Sequence, residues 1–207
     1  MVDRRRATGL WLAAPAAAAL AVLVAVAGRR GWPDYSPREQ YLSELGAKDA
    51  PHGAAASAGF LAVGTLLLLA LGALAPPRRW PRGAWLGLVG VLGGFGASYA
   101  VSGVARCDPG CPESGDLSVA QQIHNTAGSV GYVAAIAGLA SFGWSLRSQP
   151  RWRRWALTSL AGAPALALVA GTTPGSDDRG LRQRVVEIAV FAWIVIVAAR
   201  ARREPAL

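Results

Sequence analysis

This chain is poor in the residues that carry most protein chemistry. Its 207 residues include two histidines, two cysteines and a single lysine, Lys48. No His-Glu-x-x-His pair, glycine-rich nucleotide loop, Ser-His-Asp spacing or transit motif occurs, so the commonest hydrolase and nucleotide-dependent classes find no support. Charge is scarce too: 16% of residues are charged and 53% are hydrophobic. An ordinary soluble domain is less apolar than that.

What is present is long apolar runs. Six blocks, at about 8–28, 53–75, 84–105, 122–146, 155–173 and 182–200, are each near the length that crosses a ~30 Å hydrocarbon core at ~1.5 Å per residue. The expected fold is a single all-α domain, an integral membrane bundle of six transmembrane helices. The net charge of +9 would suit a nucleic acid, but its distribution argues against one. Arg4–Arg6, Arg78, Arg79 and Arg82, then Arg147, Arg151, Arg153 and Arg154, then Arg200, Arg202 and Arg203 fall at alternate ends and loops. Those 13 of the 21 basic residues stand with only two acids, Asp3 and Glu204. This is the positive-inside pattern, and it predicts that both termini are cytoplasmic. Basic here means oriented. The arginine bias points to a GC-rich bacterial genome, and hence to the bacterial plasma (inner) membrane.

Arg4–Arg6 ahead of Leu10–Ala27, with Ala25-Val26-Ala27 as a cleavage-like end, has the outline of a signal peptide. The run is long for a signal sequence, so the reading adopted is a retained first helix. Trp11, Trp80, Trp85, Trp152 and Trp155 fall near the cytoplasmic boundaries and Trp32 near the opposite one, as an aromatic belt would. In the first outer loop, Ser36-Pro37-Arg38-Glu39 has a capping-box pattern followed by Tyr41, Leu42, Leu45 and a Gly46 stop. That predicts a short amphipathic helix on the outer membrane surface. The third span carries a stripe of Gly83, Gly87, Gly90 and Gly94, continued by Ser98 and Ser102, which suits the middle of a bundle. Ser118-Val-Ala-Gln121 is a second capping box, and Pro164 should disturb the fifth span.

One pattern occurs twice. His52-Gly-Ala-Ala-Ala-Ser-Ala-Gly-Phe60 and His124-Asn-Thr-Ala-Gly-Ser-Val-Gly-Tyr132 both fit H-x-x-A-x-S-x-G-[FY]. On a helix the His, Ala and Gly share one face, and Ala-x-x-x-Gly lets another helix approach closely. Duplication and convergent packing of two similar helix starts both account for it. The second, fourth and sixth spans all run inward, so His52, His124 and Glu187 lie near their outer ends.

Three constellations follow. Cys107 and Cys111 flank a Pro-Gly turn on the outer face, where an oxidising compartment favours a structural disulfide over redox catalysis. With His124 they would supply three zinc ligands, though without the paired spacing of a strong zinc signature. His52, His124 and Glu187, with Asp108 and Glu44 nearby, are candidates for a two-His, one-carboxylate zinc site or an acid–base pair. The plainer alternatives are that each histidine satisfies loop groups at a membrane boundary and that Glu187 pairs with Arg184 one turn back. An intramembrane carboxylate still marks a functional site by default.

Tyr35-Ser-Pro-Arg-Glu-Gln-Tyr-Leu-Ser-Glu-Leu-Gly46, His124-Asn125 and the Gly180…Arg184…Glu187 opening of the last span resemble a prokaryotic family of multi-pass membrane proteins, the domain of unknown function 998. The resemblance runs from about residue 10 to 200. It implies six spans and an outward-facing polar cluster, with no activity to carry over; Cys107 and Cys111 depart from its pattern. A looser similarity, to membrane hydrolases of the alkaline ceramidase type, implies helix-end ligands for zinc, but those use three histidines.

The leading expectation is a non-enzymatic membrane protein that binds a lipid headgroup, small solute or partner protein at its outer polar cluster. Asp34, Tyr35, Ser43, Glu44, Asp108 and Arg184 are the candidate binding residues. Membrane lipid is the expected partner, alongside a membrane-protein partner or a second copy of the chain. The runner-up is a metal-assisted or acid–base enzyme acting on lipid through His52, His124 and Glu187. A proton-coupled transporter using Glu187 is third.

Overall fold

A computed structural model describes residues 13–74, 80–171 and 176–203. Arg4–Arg6, Trp11, Arg78, Arg79 and the outermost residues of several expected spans lie outside them. Among the described residues there is no strand. Six helices form one bundle: α1 (Ala13–Gly28), α2 (Gly53–Leu74), α3 (Arg82–Val104), α4 (Val119–Leu146), α5 (Arg153–Ala170) and α6 (Arg179–Arg203). Three stretches, Gly53–Gly72, Arg82–Val104 and Val119–Leu146, are long and apolar enough to cross a membrane, at 20, 23 and 28 residues.

Small residues decide how closely these helices approach. A Cβ on Gly87 would lie 2.7 Å from the Gly138 carbonyl, and one on Gly90 2.6 Å from that of Ala134, so the expected stripe is the seam between α3 and α4. The other side of α3 is as tight: a Cβ on Gly64 of α2 would meet the Ala100 nitrogen at 2.4 Å. Thus α3 occupies the middle of the bundle, as its composition predicts. Unforeseen is a π-helical stretch, Val89–Gly94, inside α3. Its wider turn changes the face that the following Phe95, Ser98 and Tyr99 present.

Both copies of the repeated pattern use their glycine for close packing, Gly59 against Val24 and Gly131 against Ser98. Their other residues part company. Ser57 is buried and donates to the Gly46 carbonyl at 3.1 Å, whereas Ser129 is exposed.

The loop between α1 and α2 departs from expectation. Ser36 does cap a turn, its Oγ accepting from the Glu39 nitrogen at 3.4 Å, but no surface helix follows. The chain instead forms a 3-10 helix, Leu42–Gly46, with Leu42, Glu44, Leu45 and Gly46 buried. Side chains from elsewhere take up the peptide groups that a helical ladder would have used. Trp152 also differs from the belt reading: it is buried and packs edge-on against Trp80 and Phe142, with ring centroids 5.4 and 5.8 Å away.

The two kinds of glycine separate experimentally. Gly64→Ala should destabilise the detergent-solubilised protein by about 1–3 kcal/mol through overpacking. Gly72→Ala, whose new Cβ meets nothing within 4 Å, should be neutral or slightly stabilising. Thermal unfolding of the two variants side by side checks the ordering.

Candidate functional site

The loop 36–47 is pinned over one end of the bundle by cations from two elements. Arg184 of α6 donates to the Pro37 and Gln40 carbonyls at 2.7 and 2.8 Å and to the Tyr35 hydroxyl. Gly180 makes room for this contact, since a Cβ there would sit 2.0 Å from the Gln40 oxygen. Arg106, just beyond α3, donates to the Gly46 and Ala47 carbonyls at 3.0 and 2.7 Å. Burial raises the Tyr35 hydroxyl to about 12, the nearby Arg184 opposing the rise. Arg184 is therefore a fastener of this loop, and it does not pair with Glu187 as the helical spacing suggested.

A second latch joins the loop before α2 to the loop before α4. Asp108 accepts from Lys48, from the Ser118 hydroxyl at 2.8 Å and from the Ser118 nitrogen at 3.1 Å. Hydrogen bonds from Lys48 and then Ser118 hold its carboxyl below the usual carboxylate range. Ser118 caps α4 as expected, accepting from the Gln121 nitrogen at 3.2 Å. The rest of that capping box does not close, because Gln121 accepts from the Asp108 nitrogen and donates to the Pro112 carbonyl.

Beneath these loops lies a cavity of about 1020 Å³. Its upper wall is polar. Arg179, Gln183 and Glu187 project from α6, His124, Asn125 and Tyr132 from α4, Ser98, Tyr99 and Ser102 from α3, and Tyr41, Ser43 and Glu113 from the loops. The rest of its wall is mainly apolar: Val133, Ile136, Ala137 and Ala140 of α4, and a run up α5 from Ala163 and Pro164 to Ala167 and Ala170 at its loop end. Ala137, Pro164 and Ala167 line this space and are also exposed, so the cavity opens through the side of the bundle.

Glu187 is 6% exposed and accepts from the Tyr132 hydroxyl at 2.8 Å. None of the ion pairs among the described residues involves it. The buried Tyr99 hydroxyl faces this carboxylate without closing a hydrogen bond of normal geometry, and has no other partner. Arg179, by contrast, is satisfied by Glu44 at 3.3 Å, Glu113 at 3.8 Å and the Glu39 carbonyl.

The structure divides the expected site residues. His124 and Glu187 line one cavity with Ser43. His52 is exposed in the turn before α2 and is not in the cavity wall, so the structure does not gather His52, His124 and Glu187. Glu44 is buried as an anchor for Tyr41, Gln40 and Arg179, while Asp34 is exposed. The pair Cys107–Cys111 is disulfide-bonded. A different trio of metal-binding atoms does meet: both sulfurs and a His124 ring nitrogen lie within 4.8 Å of one another. Sequence reasoning missed Arg179, Gln183, Tyr99 and Tyr132. The spacing of Arg179, Gln183 and Glu187, four residues apart on one helical face, was the available signal.

The model of a protein family described as of unknown function (DUF998) matches residues 15–200. The chain belongs to that family. No curated protein and no solved structure matches it. In this family member, two of the segments that carried the resemblance are in contact: Tyr35 to Gly46 lies on the Gly180–Arg184 turn.

Two outcomes test these latches. Arg184→Lys leaves loop carbonyls without a forked donor and should cost about 1–3 kcal/mol in detergent unfolding. For Asp108 the sign follows from its lowered ionisation: its contribution is complete above the ordinary carboxylate range and lost as pH falls through the lowered value. Wild type should therefore unfold at a higher temperature than Asp108→Asn at neutral pH. That gap should close in acid below about pH 4.

Proposed function

We propose that this protein is a bacterial inner-membrane protein with six spans that binds an amphipathic membrane lipid in the cavity. The carrying observation is the division of one cavity into a polar end under the loops and an apolar end open to the side. Its volume, about 1020 Å³, sits at the top of the roughly 300–1,000 Å³ usual for small-ligand pockets. A headgroup fits beside Glu187, Gln183, Tyr132 and Asn125, and an acyl chain beside the alanines of α4 and α5. The exposed neighbours Val130, Val133 and Leu168, at 59%, 68% and 79%, suit contact with lipid tails. With the arginine-rich ends inside, the polar end faces the extracytoplasmic side.

The acid–base enzyme reading keeps His124 and Glu187 on one wall but loses His52. Transport gains no support, because the wall inward of Glu187 is apolar. The outer face of the loops remains open to a membrane-protein partner or a second copy, and the cavity does not depend on either.

Native mass spectrometry of protein purified in mild detergent checks this reading. Wild type should carry a co-purified lipid in near-stoichiometric amount. Ala137→Phe, which places a ring in the apolar end, should reduce retention at least tenfold, while Glu187→Gln should change which headgroups are retained. Equal retention in all three proteins rules the cavity out as the lipid site. Chemical turnover of the retained lipid by wild type but not Glu187→Gln would favour the enzyme instead.

A further inference from the structure

We infer that Cys107, Cys111 and His124 form a redox-gated site for a soft metal ion, closed while the disulfide is intact and opened by its reduction. The proposal does not depend on lipid binding, since none of these three residues is needed to hold a lipid.

The geometry is that of a ligand set. All three side chains are buried, at 0%, 3% and 7% exposure, and their donor atoms lie within 4.8 Å of one another. Thiolate and imidazole bind zinc at roughly 2.0–2.3 Å, which spaces neighbouring ligands at about 3.5–4 Å. The sulfurs need to separate by less than about 2 Å from bonding distance. With the Cα atoms 5.1 Å apart, side-chain rotation alone can supply that movement.

His124 is already in the ligating form. Its Nδ1 lies 2.9 Å from the Ala105 carbonyl; a carbonyl only accepts, so Nδ1 carries the hydrogen, and in the neutral imidazole Nε2 keeps a lone pair. A backbone carbonyl on the far ring nitrogen is the usual outer partner of a metal-bound histidine. Cys111 and His124 also line the cavity, which leaves a position for water or a further ligand. Of the two nearest carboxylates in sequence, Asp108 is committed to Lys48 and Ser118, and Glu113 accepts from the Tyr41 hydroxyl and pairs with Arg179. Two sulfurs and one nitrogen, with no free hard oxygen ligand, select zinc or copper(I) over magnesium or calcium.

The site does not rely on the disulfide to stay together. The Cys107 carbonyl accepts from the Lys48 nitrogen at 3.1 Å, and the Cys111 nitrogen donates to the Asp108 carbonyl at 2.9 Å. Gln121 and Asn125 of α4 both donate to the Pro112 carbonyl at 3.0 Å. With the Asp108 nitrogen donating to Gln121 Oε1 at 2.6 Å, breaking the S–S bond leaves the segments on both sides of the pair tethered to the helix that carries His124.

The chemistry balances simply. A dithiol reductant supplies two electrons and two protons, the Cys107–Cys111 bond breaks to two thiols, and the reductant leaves as its own disulfide. Binding one zinc ion as the dithiolate then releases two protons; the neutral imidazole releases none.

The test uses the full chain in detergent and zinc alone as the probe. A phosphine reductant opens the disulfide, becoming its oxide with oxygen taken from water, and does not compete as a thiol. After desalting, reduced wild type should hold about one zinc per chain and release about two protons on binding, while the oxidised protein holds none. His124→Asn should weaken binding at least tenfold, and Cys107→Ser/Cys111→Ser should abolish it while keeping the wild-type helix content. No zinc on reduced wild type overturns the proposal, as does equal uptake by the double serine variant. Loss of ordered structure on reduction overturns it as well, because the tethers are then insufficient.

Discussion

The constraint on which this structure depends is the satisfaction of a non-helical backbone at the end of an apolar bundle. Helices hydrogen-bond their own peptide groups and can sit in lipid unaided; a loop cannot. The segment 36–47 turns back over the helices with part of its backbone buried, so its carbonyls need donors from the protein itself. Arg184, Arg106 and Ser57 supply them. Each comes from a different part of the bundle: α6, the end of α3, and α2. The loop is thus the element through which three helices are held in register, and the cavity beneath it has a roof because of those bonds.

Much of this was legible in the sequence, and the legible part follows from periodicity. Helix number and approximate limits come from apolar run length. The central place of α3 comes from Gly83, Gly87, Gly90 and Gly94, because four small residues on one face have one good use in a bundle. The α4 cap at Ser118 and the disulfide partners were readable from local spacing. The parts that were not legible are tertiary. Glu44 falls within the expected surface helix, and only the fold shows that Arg179 and Tyr41 draw it inward. Arg184 looks like the natural partner of Glu187, until the loop places three oxygen acceptors within its reach. His52 and His124 share a pattern, yet one is exposed and the other buried, because loop packing decides the burial of a helix-start side chain and the helix repeat does not.

The cavity itself has a simple origin. Alanine is small enough for α4 and α5 to approach where they pack, as Gly143 against Ala156 and Leu160 shows. The same residue leaves space where the walls stand apart, as at Ala137, Ala140, Ala163 and Ala167. Pro164 adds to this by removing one peptide donor in the middle of α5, so that the helix on that side lacks one bond of its ladder. Nearby, Ser159 joins α5 to α6 by accepting from Trp193 at 2.8 Å. Toward the loop end the cavity wall is completed by His124, Asn125 and Tyr132 of α4 and by Gln183, Val186 and Glu187 of α6.

Charge is distributed so that one group in this space stands apart. Arg179 is balanced by Glu44 and Glu113, and Lys48 by Asp108. Arg184 spends its donors on loop carbonyls and on Tyr35. Glu187 receives a tyrosine hydroxyl and no ion pair among the described residues. A carboxylate in an apolar bundle is costly without a partner, and a fold concerned only with stability would do better with a leucine at that position. Beside it, the buried Tyr99 hydroxyl faces the same carboxylate without closing a hydrogen bond of normal geometry. These two adjacent polar groups lie on the wall of a cavity open to the bundle's side, which is why the lipid-binding proposal is placed there. Under the proposed lipid binding, a headgroup with a hydrogen-bond donor would satisfy the carboxylate, and one with an acceptor as well would satisfy Tyr99.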